Sequence, residues 1–291
     1  MMLNVMNFAK GKSRLMAIQI KEVESIKISA PETDEYIPSE QSANVLFNFM
    51  KQLKFLKISL KNKAFMPRYY EEKVDTYNIG IDKICFPMTC FCDIHLQRLG
   101  PHVKFYGFFG IGLEKKWGLK AGVQPIQYVN VNAPLIKTFS ELFLKSLQNL
   151  DEEHPEINSY RNYLLTNLLY LKPLNGDMWR VDKYVPRNFH DEKEWRFVPD
   201  MSCQDDLDLL IPQSLLSPNV YEAYSMGITK CKDLWLTYEY EDIRYLVVET
   251  KNDRIELIKF ISEELTEGID HFEKTLLISK IIVWEDMKED W

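Results

Sequence analysis

The stretch FHDEKEWRFVP, residues 189–199, carries the residue types best suited to chemistry. Successive side chains of an extended chain point to opposite faces, so Glu192, Glu194 and Arg196 are expected on one side of a strand and Trp195 and Phe197 on the other. Two carboxylates and a guanidinium projecting together can bind a polar ligand or polarise a hydroxyl, and mutual repulsion can raise the pKa of one carboxylate. Structural pairing of Glu194 with an arginine such as Arg68 explains the same residues without any reaction, because ion pairs across strands are common. Both accounts stand at this point.

Three other constellations carry less. Cys85, Cys90 and Cys92 lie near His95 and His102, but C-x-C on a strand does not supply four tetrahedral ligands. Buried thiols are expected there, and no metal. In GFFGIGL, residues 107–113, the glycines fall inside an apolar run and not between a strand and a helix, so close backbone packing is expected in place of a phosphate cradle. Lys51, Lys54, Lys57, Lys61, Lys63 and Arg68 crowd one region, which reads either as a solvated helix face or as a face that attracts an anion.

Composition bounds the rest. A chain of 291 residues that is 46% hydrophobic and 27% charged is an ordinary globular sequence with a sizeable core. Its net charge of −7 opposes generic binding to nucleic acid or to an anionic membrane, which clustered Lys and Arg must supply. Five cysteines, an odd number, and an opening without secretory features point to reduced thiols and a cytoplasmic setting. No apolar run approaches the length of a membrane span.

Elements must then position these residues. The glycine-rich stretch 84–130 predicts strands over Ile84–Cys92, Phe108–Leu113 and Ile126–Val131. Between them fall a short helical piece capped by Asp93 and stopped at Gly100-Pro101, and a helix over Glu114–Ala121 closed by Gly122. Upstream, a strand is expected within 15–28, another over Val45–Phe49, and a helix over Leu53–Leu60. Downstream, a helical hairpin at about 139–171 opens with a Thr138–Glu141 capping box, carries Phe139, Leu142, Phe143, Leu147 and Leu150 on one face, and resumes at Ser159. Tyr221–Tyr240 is expected to be partly helical, followed by a strand at Ile243–Glu249, a helix capped by Asn252 and a last strand at Leu276–Trp284. The fold expected is α+β, with a mixed sheet flanked by helices: residues 1–44 form a partly looped N-terminal segment and 45–291 a single domain.

At these motifs the chain resembles the AbiGi-type abortive phage resistance proteins. FMPRYYEE from Phe65, FPMTCFCDI from Phe86, YGFFGIGLEKKWGLKAGVQPIQYVN from Tyr106, LKPLNG from Leu171, HDEKEWRFVP from His190, IRYLVVE from Ile243 and LLISKIIVWEDMKEDW from Leu276 occur in family order. The resemblance implies a part in bacterial phage defence as the antitoxin of a pair, acting by contact with a cognate toxin or second defence protein. The arrangement also resembles, more faintly, the ADP-ribosyltransferase-like toxins. That likeness implies a partly ADP-ribosyltransferase-like sheet and NAD as cofactor, with Asn48, Arg68 and Glu194 in the three family slots, Glu192 completing an E-x-E and Arg196 on the cofactor. An NAD-dependent transferase acting on nucleic acid or protein is therefore the alternative to partner contact. In it Glu194 stabilises an oxocarbenium or orients the acceptor, and Arg68 grips phosphates.

Overall fold

The computed structural model describes residues 36–147, 155–180, 183–202, 204, 206–266 and 268–289. The strand expected within 15–28 lies outside them, as does Leu150. Strand β1 (Val45–Met50) leads into α1 (Leu53–Asn62), which turns Leu53, Leu56 and Leu60 inward at helical spacing. Short β2 (Ala64–Phe65) precedes β3 (Arg68–Lys73) and the long β4 (Lys83–Cys92). Then come α2 (Gly100–Tyr106), β5 (Phe109–Glu114), α3 (Lys115–Lys120), β6 (Gln124–Pro125) and β7 (Gln127–Val129). The hairpin helices are α4 (Pro134–Ser146) and α5 (Pro155–Tyr170), followed by β8 (Leu171–Pro173), the ribbon β9 (Asn175–Arg180) and β10 (Lys183–Asn188), and β11 (Glu194–Phe197). The last quarter holds α6 (Pro218–Lys230), β12 (Leu236–Thr237), β13 (Ile243–Val248), α7 (Lys251–Lys259), α8 (His271–Ser279), β14 (Ile281–Val283) and α9 (Trp284–Glu289).

The main sheet is mixed, in the order β14-β13-β5-β1-β4-β11-β6, with β3 added to β4. Only β13 and β14 run parallel within it. One face packs Leu46, Phe91, Ile111 and Leu113 against α1 and α7 through Leu56, Leu60 and Leu257, and against Ile261 in the turn that follows α7. The other packs Phe86 and Met88 against the hairpin through Ile136, Phe143, Leu165 and Leu168, and Phe47 and Cys92 against Val103 and Trp284. Gly110 and Gly112 do allow close packing: a Cβ at either would stand 2.6 Å from a ring carbon of Phe49 or Phe47.

Several local expectations are revised. Gly100-Pro101 opens α2, since proline fits a first turn that needs no N–H from it. The short helical piece expected ahead of Gly100 is a 3-10 turn, Leu96–Arg98, and His95, not Asp93, stands at its head; the Asp93 carboxylate is buried and accepts from Lys115 at 2.7 Å. Helix α4 begins at Pro134, so Thr138 lies inside it and donates to the Pro134 carbonyl. Its buried stripe is Ile136, Ser140 and Phe143, and Leu142 is exposed. Pro155 likewise opens α5, ahead of the expected Ser159. Thr250, not Asn252, caps α7, in a reciprocal box with Asp253. Residues 276–279 finish α8, leaving a last strand of three residues. Among the described residues no helix is long and apolar enough to cross a membrane.

Candidate functional site

Strand β11 is short because Lys193 adopts a left-handed conformation with φ of 44° that breaks the extended chain. Glu194 and Arg196 leave β11 on the hairpin side of the sheet, in register with Cys92 and Cys90 of β4. Glu192 stands in a 3-10 turn, not on the strand as expected, and the bend at Lys193 still carries it to the same cluster. Opposite them, β8 begins where α5 ends, and its second residue, Lys172, reaches across. The Lys172 ammonium lies 2.7 Å from Glu194, 3.3 Å from Glu192 and 3.8 Å from Glu72 of β3.

Arg196 is fully buried and makes the most contacts. Its guanidinium grips both oxygens of Glu72 at 2.8 and 3.2 Å, and donates to Glu194 Oε1 through Nε at 3.0 Å and Nη2 at 2.8 Å. It also donates to the Leu169 carbonyl at the end of α5. Glu194 Oε2 takes the Lys172 proton donor, so both of its oxygens are occupied. Glu192 accepts from Tyr106 of α2 at 2.6 Å and from Arg187 of β10 at 3.3 Å. The Tyr128 hydroxyl accepts the Glu194 backbone N–H at 2.8 Å. Three carboxylates thus face three cations, a balance that the burial of Glu192, Glu194, Lys172 and Arg196 requires, while Glu72 and Arg187 keep an edge in solvent.

The balance sets the titration. Burial by itself would raise the Glu194 pKa, but Arg196 and then Lys172 outweigh it and hold the carboxyl well below the usual range. The upward push expected from repulsion between carboxylates therefore does not govern Glu194. Burial would likewise lower Arg196 and Lys172, yet Glu194 and Glu72 keep both firmly charged. Burial, and then Glu194, drive the Cys90 thiol up, away from any thiolate role. His102 is pushed down to about 4 by burial and by Arg187. Its ring packs at a tilt against Tyr106, with centroids 4.5 Å apart, and against Phe49 at 5.6 Å.

The structure brings Glu192, Glu194 and Arg196 together and leaves Asn48 and Arg68 apart from them. Asn48 lies on the opposite face of the sheet, in register with Ile111, and donates to the Cys90 carbonyl where β1 and β4 part company after a single pairing at Phe47 and Cys92. Arg68 is exposed at the start of β3, and among the described residues it makes no ion pair. The expected Glu194–Arg68 pairing is replaced by Arg196 and Lys172, and β3 contributes Glu72 in place of Arg68. Sequence reasoning missed Lys172, Glu72, Tyr106, Tyr128 and Arg187. Among the described residues no group of three His, Cys, Asp or Glu is placed to hold a metal.

This cluster draws on segments that match a known family closely. The family described as "Putative abortive phage resistance protein AbiGi, antitoxin" matches residues 63–249, which span every member of the charge cluster. "Abortive phage resistance protein AbiGi" of Lactococcus lactis subsp. cremoris is 36% identical over 251 residues, covering 78% of this chain and all of that protein. The chain belongs to the AbiGi family. No solved structure matches it. As an AbiGi protein it falls among the abortive phage resistance proteins, and the cluster around Arg196 lies within what it shares with that family.

Proposed function

We propose that this AbiGi protein acts in phage defence by protein contact, as the antitoxin that restrains a toxin partner. The observation that carries this is the closure of the charge cluster: Glu194 has both oxygens engaged and Arg196 presents nothing to solvent. A group in that state holds the sheet, the β9–β10 ribbon and the end of the hairpin in register. The family's description as an antitoxin supplies the partner class.

Co-expression with the product of the neighbouring gene tests this. The expected outcome is a complex that survives size-exclusion chromatography and growth that recovers when both proteins are made. A toxic neighbour left unrestrained, with no complex formed, would sink the reading. Calorimetric titration with NAD is the companion measurement: binding lost in Glu194→Gln would turn attention from partner contact to transferase chemistry.

A further inference from the structure

We infer that the outer face of α1 is the surface on which the toxin docks, and that the toxin presents an acidic face to it; this deepens the partner-contact reading and rests on it. Of the lysines crowded here, two are used within the fold. Lys57 pairs with Glu256 of α7 at 2.6 Å and Lys63 with Glu239 at 2.7 Å. Lys51, Lys54 and Lys61 point outward, the Lys54 ammonium 5.0 Å from the centre of the Phe55 ring, and among the described residues none of them meets a carboxylate. Phe55 and Ile58 lie between them at helical spacing, 40% and 45% exposed. The result is an apolar stripe edged by uncompensated positive charge.

Stability accounts for Lys61, which stands in the last turn of α1, and not for the rest of the stripe. Helix α1 has no acidic residue in its first turn and no side-chain cap, and Lys51 and Lys54 stand at its positive end. Cations belong at the other end of a helix, where the dipole favours them. The face is also opposite in sign to the molecule, whose net charge is −7. An acidic partner relieves both mismatches, and an apolar strip inside a charged rim is the anatomy of a protein interface. A polyphosphate would meet only these few lysines and would be repelled by the rest of the surface.

The test uses the full chain and the neighbouring gene's product as the probe, with affinity measured at several salt concentrations. Lys54→Glu combined with Lys61→Glu should weaken binding by at least about tenfold, or roughly 1.4 kcal/mol, with an unchanged melting temperature. Phe55→Ser with Ile58→Ser should weaken it at high salt as well as low. Leu142→Ser, on the exposed side of α4, should leave it unchanged. Wild-type complex formation with no loss in the α1 variants overturns the inference while sparing the antitoxin reading; no complex with the wild type overturns both. Binding of bulk transfer RNA that disappears in the lysine variants would reassign the face to nucleic acid. Self-association of the wild type that the same variants abolish would reassign it to a second copy of the chain.

Discussion

The cluster around Arg196 and the outer face of α1 use the same kinds of charge in opposite ways. Lys172 lies within 3.8 Å of three carboxylates and is buried, whereas Lys51, Lys54 and Lys61 face solvent and, among the described residues, have no carboxylate beside them. The first arrangement is balanced and holds the fold together. The second is unbalanced, and the imbalance is available to another molecule. A motif rich in acids and bases is therefore not by itself a site; what separates the two regions is whether the charges are already answered inside the chain.

The largest effect should come from unbalancing the closed region. Arg196→Ala strands Glu72 and Glu194 without their guanidinium and should cost about 3–5 kcal/mol in urea unfolding. Arg196→Lys should recover only part of that, because an ammonium cannot grip Glu72 through two parallel bonds. Glu194→Gln keeps the shape and removes one charge, so a loss of about 1–3 kcal/mol is expected. Phage protection should persist in that variant wherever the fold does, as plaque counts at reduced temperature would show.

Acid should reach the cluster in two stages. His102 has a folded pKa of about 4 against an ordinary 6.5, so its contribution is complete above 6.5 and is lost as pH falls towards 4. Glu194, also depressed, contributes above the ordinary carboxylate range and loses that contribution only below about 4.3. Unfolding free energy measured from pH 7 to 3 should slope in both windows; His102→Phe should flatten the upper one and Glu194→Gln the lower. The smallest effect belongs to the open region. Lys54→Glu with Lys61→Glu should change stability by no more than about 0.5 kcal/mol, and a larger loss would show that α1 needs those lysines for its own sake.

Local periodicity made much of this legible in the sequence. The apolar residues Leu53, Leu56, Ile58 and Leu60 announce α1, although Ile58 turns to solvent, and the apolar runs of β4, β5 and β13 supply sheet strands as read. Glu194 and Arg196 fall on one side of a strand as alternation requires. What stayed hidden was decided across the chain. Lys172 sits in a motif that reads as a helix end followed by a turn, and Glu72 is one of two adjacent glutamates; only the registers of β3 and β11 on β4 show which of them meets Arg196. Arg68 has the residue type the site calls for, while its place at the start of β3 leaves it in solvent. Gly100-Pro101 reads as a stop because those residues end helices as readily as proline begins them, and here proline opens α2.

The place of β13 bears on how the chain is made. It lies between β5 and β14, so β5 finishes at Glu114 and waits for a neighbour that begins at Ile243. At ~5–20 residues per second a ribosome would take roughly 6 to 26 s to supply it. During that time an emerging chain displays the β5 edge, Phe109 and Ile111 included, to any strand that can add to it. Translation halted ahead of Ile243 would therefore release a half-sheet with an open edge, and closing that edge waits on the last sixth of the chain.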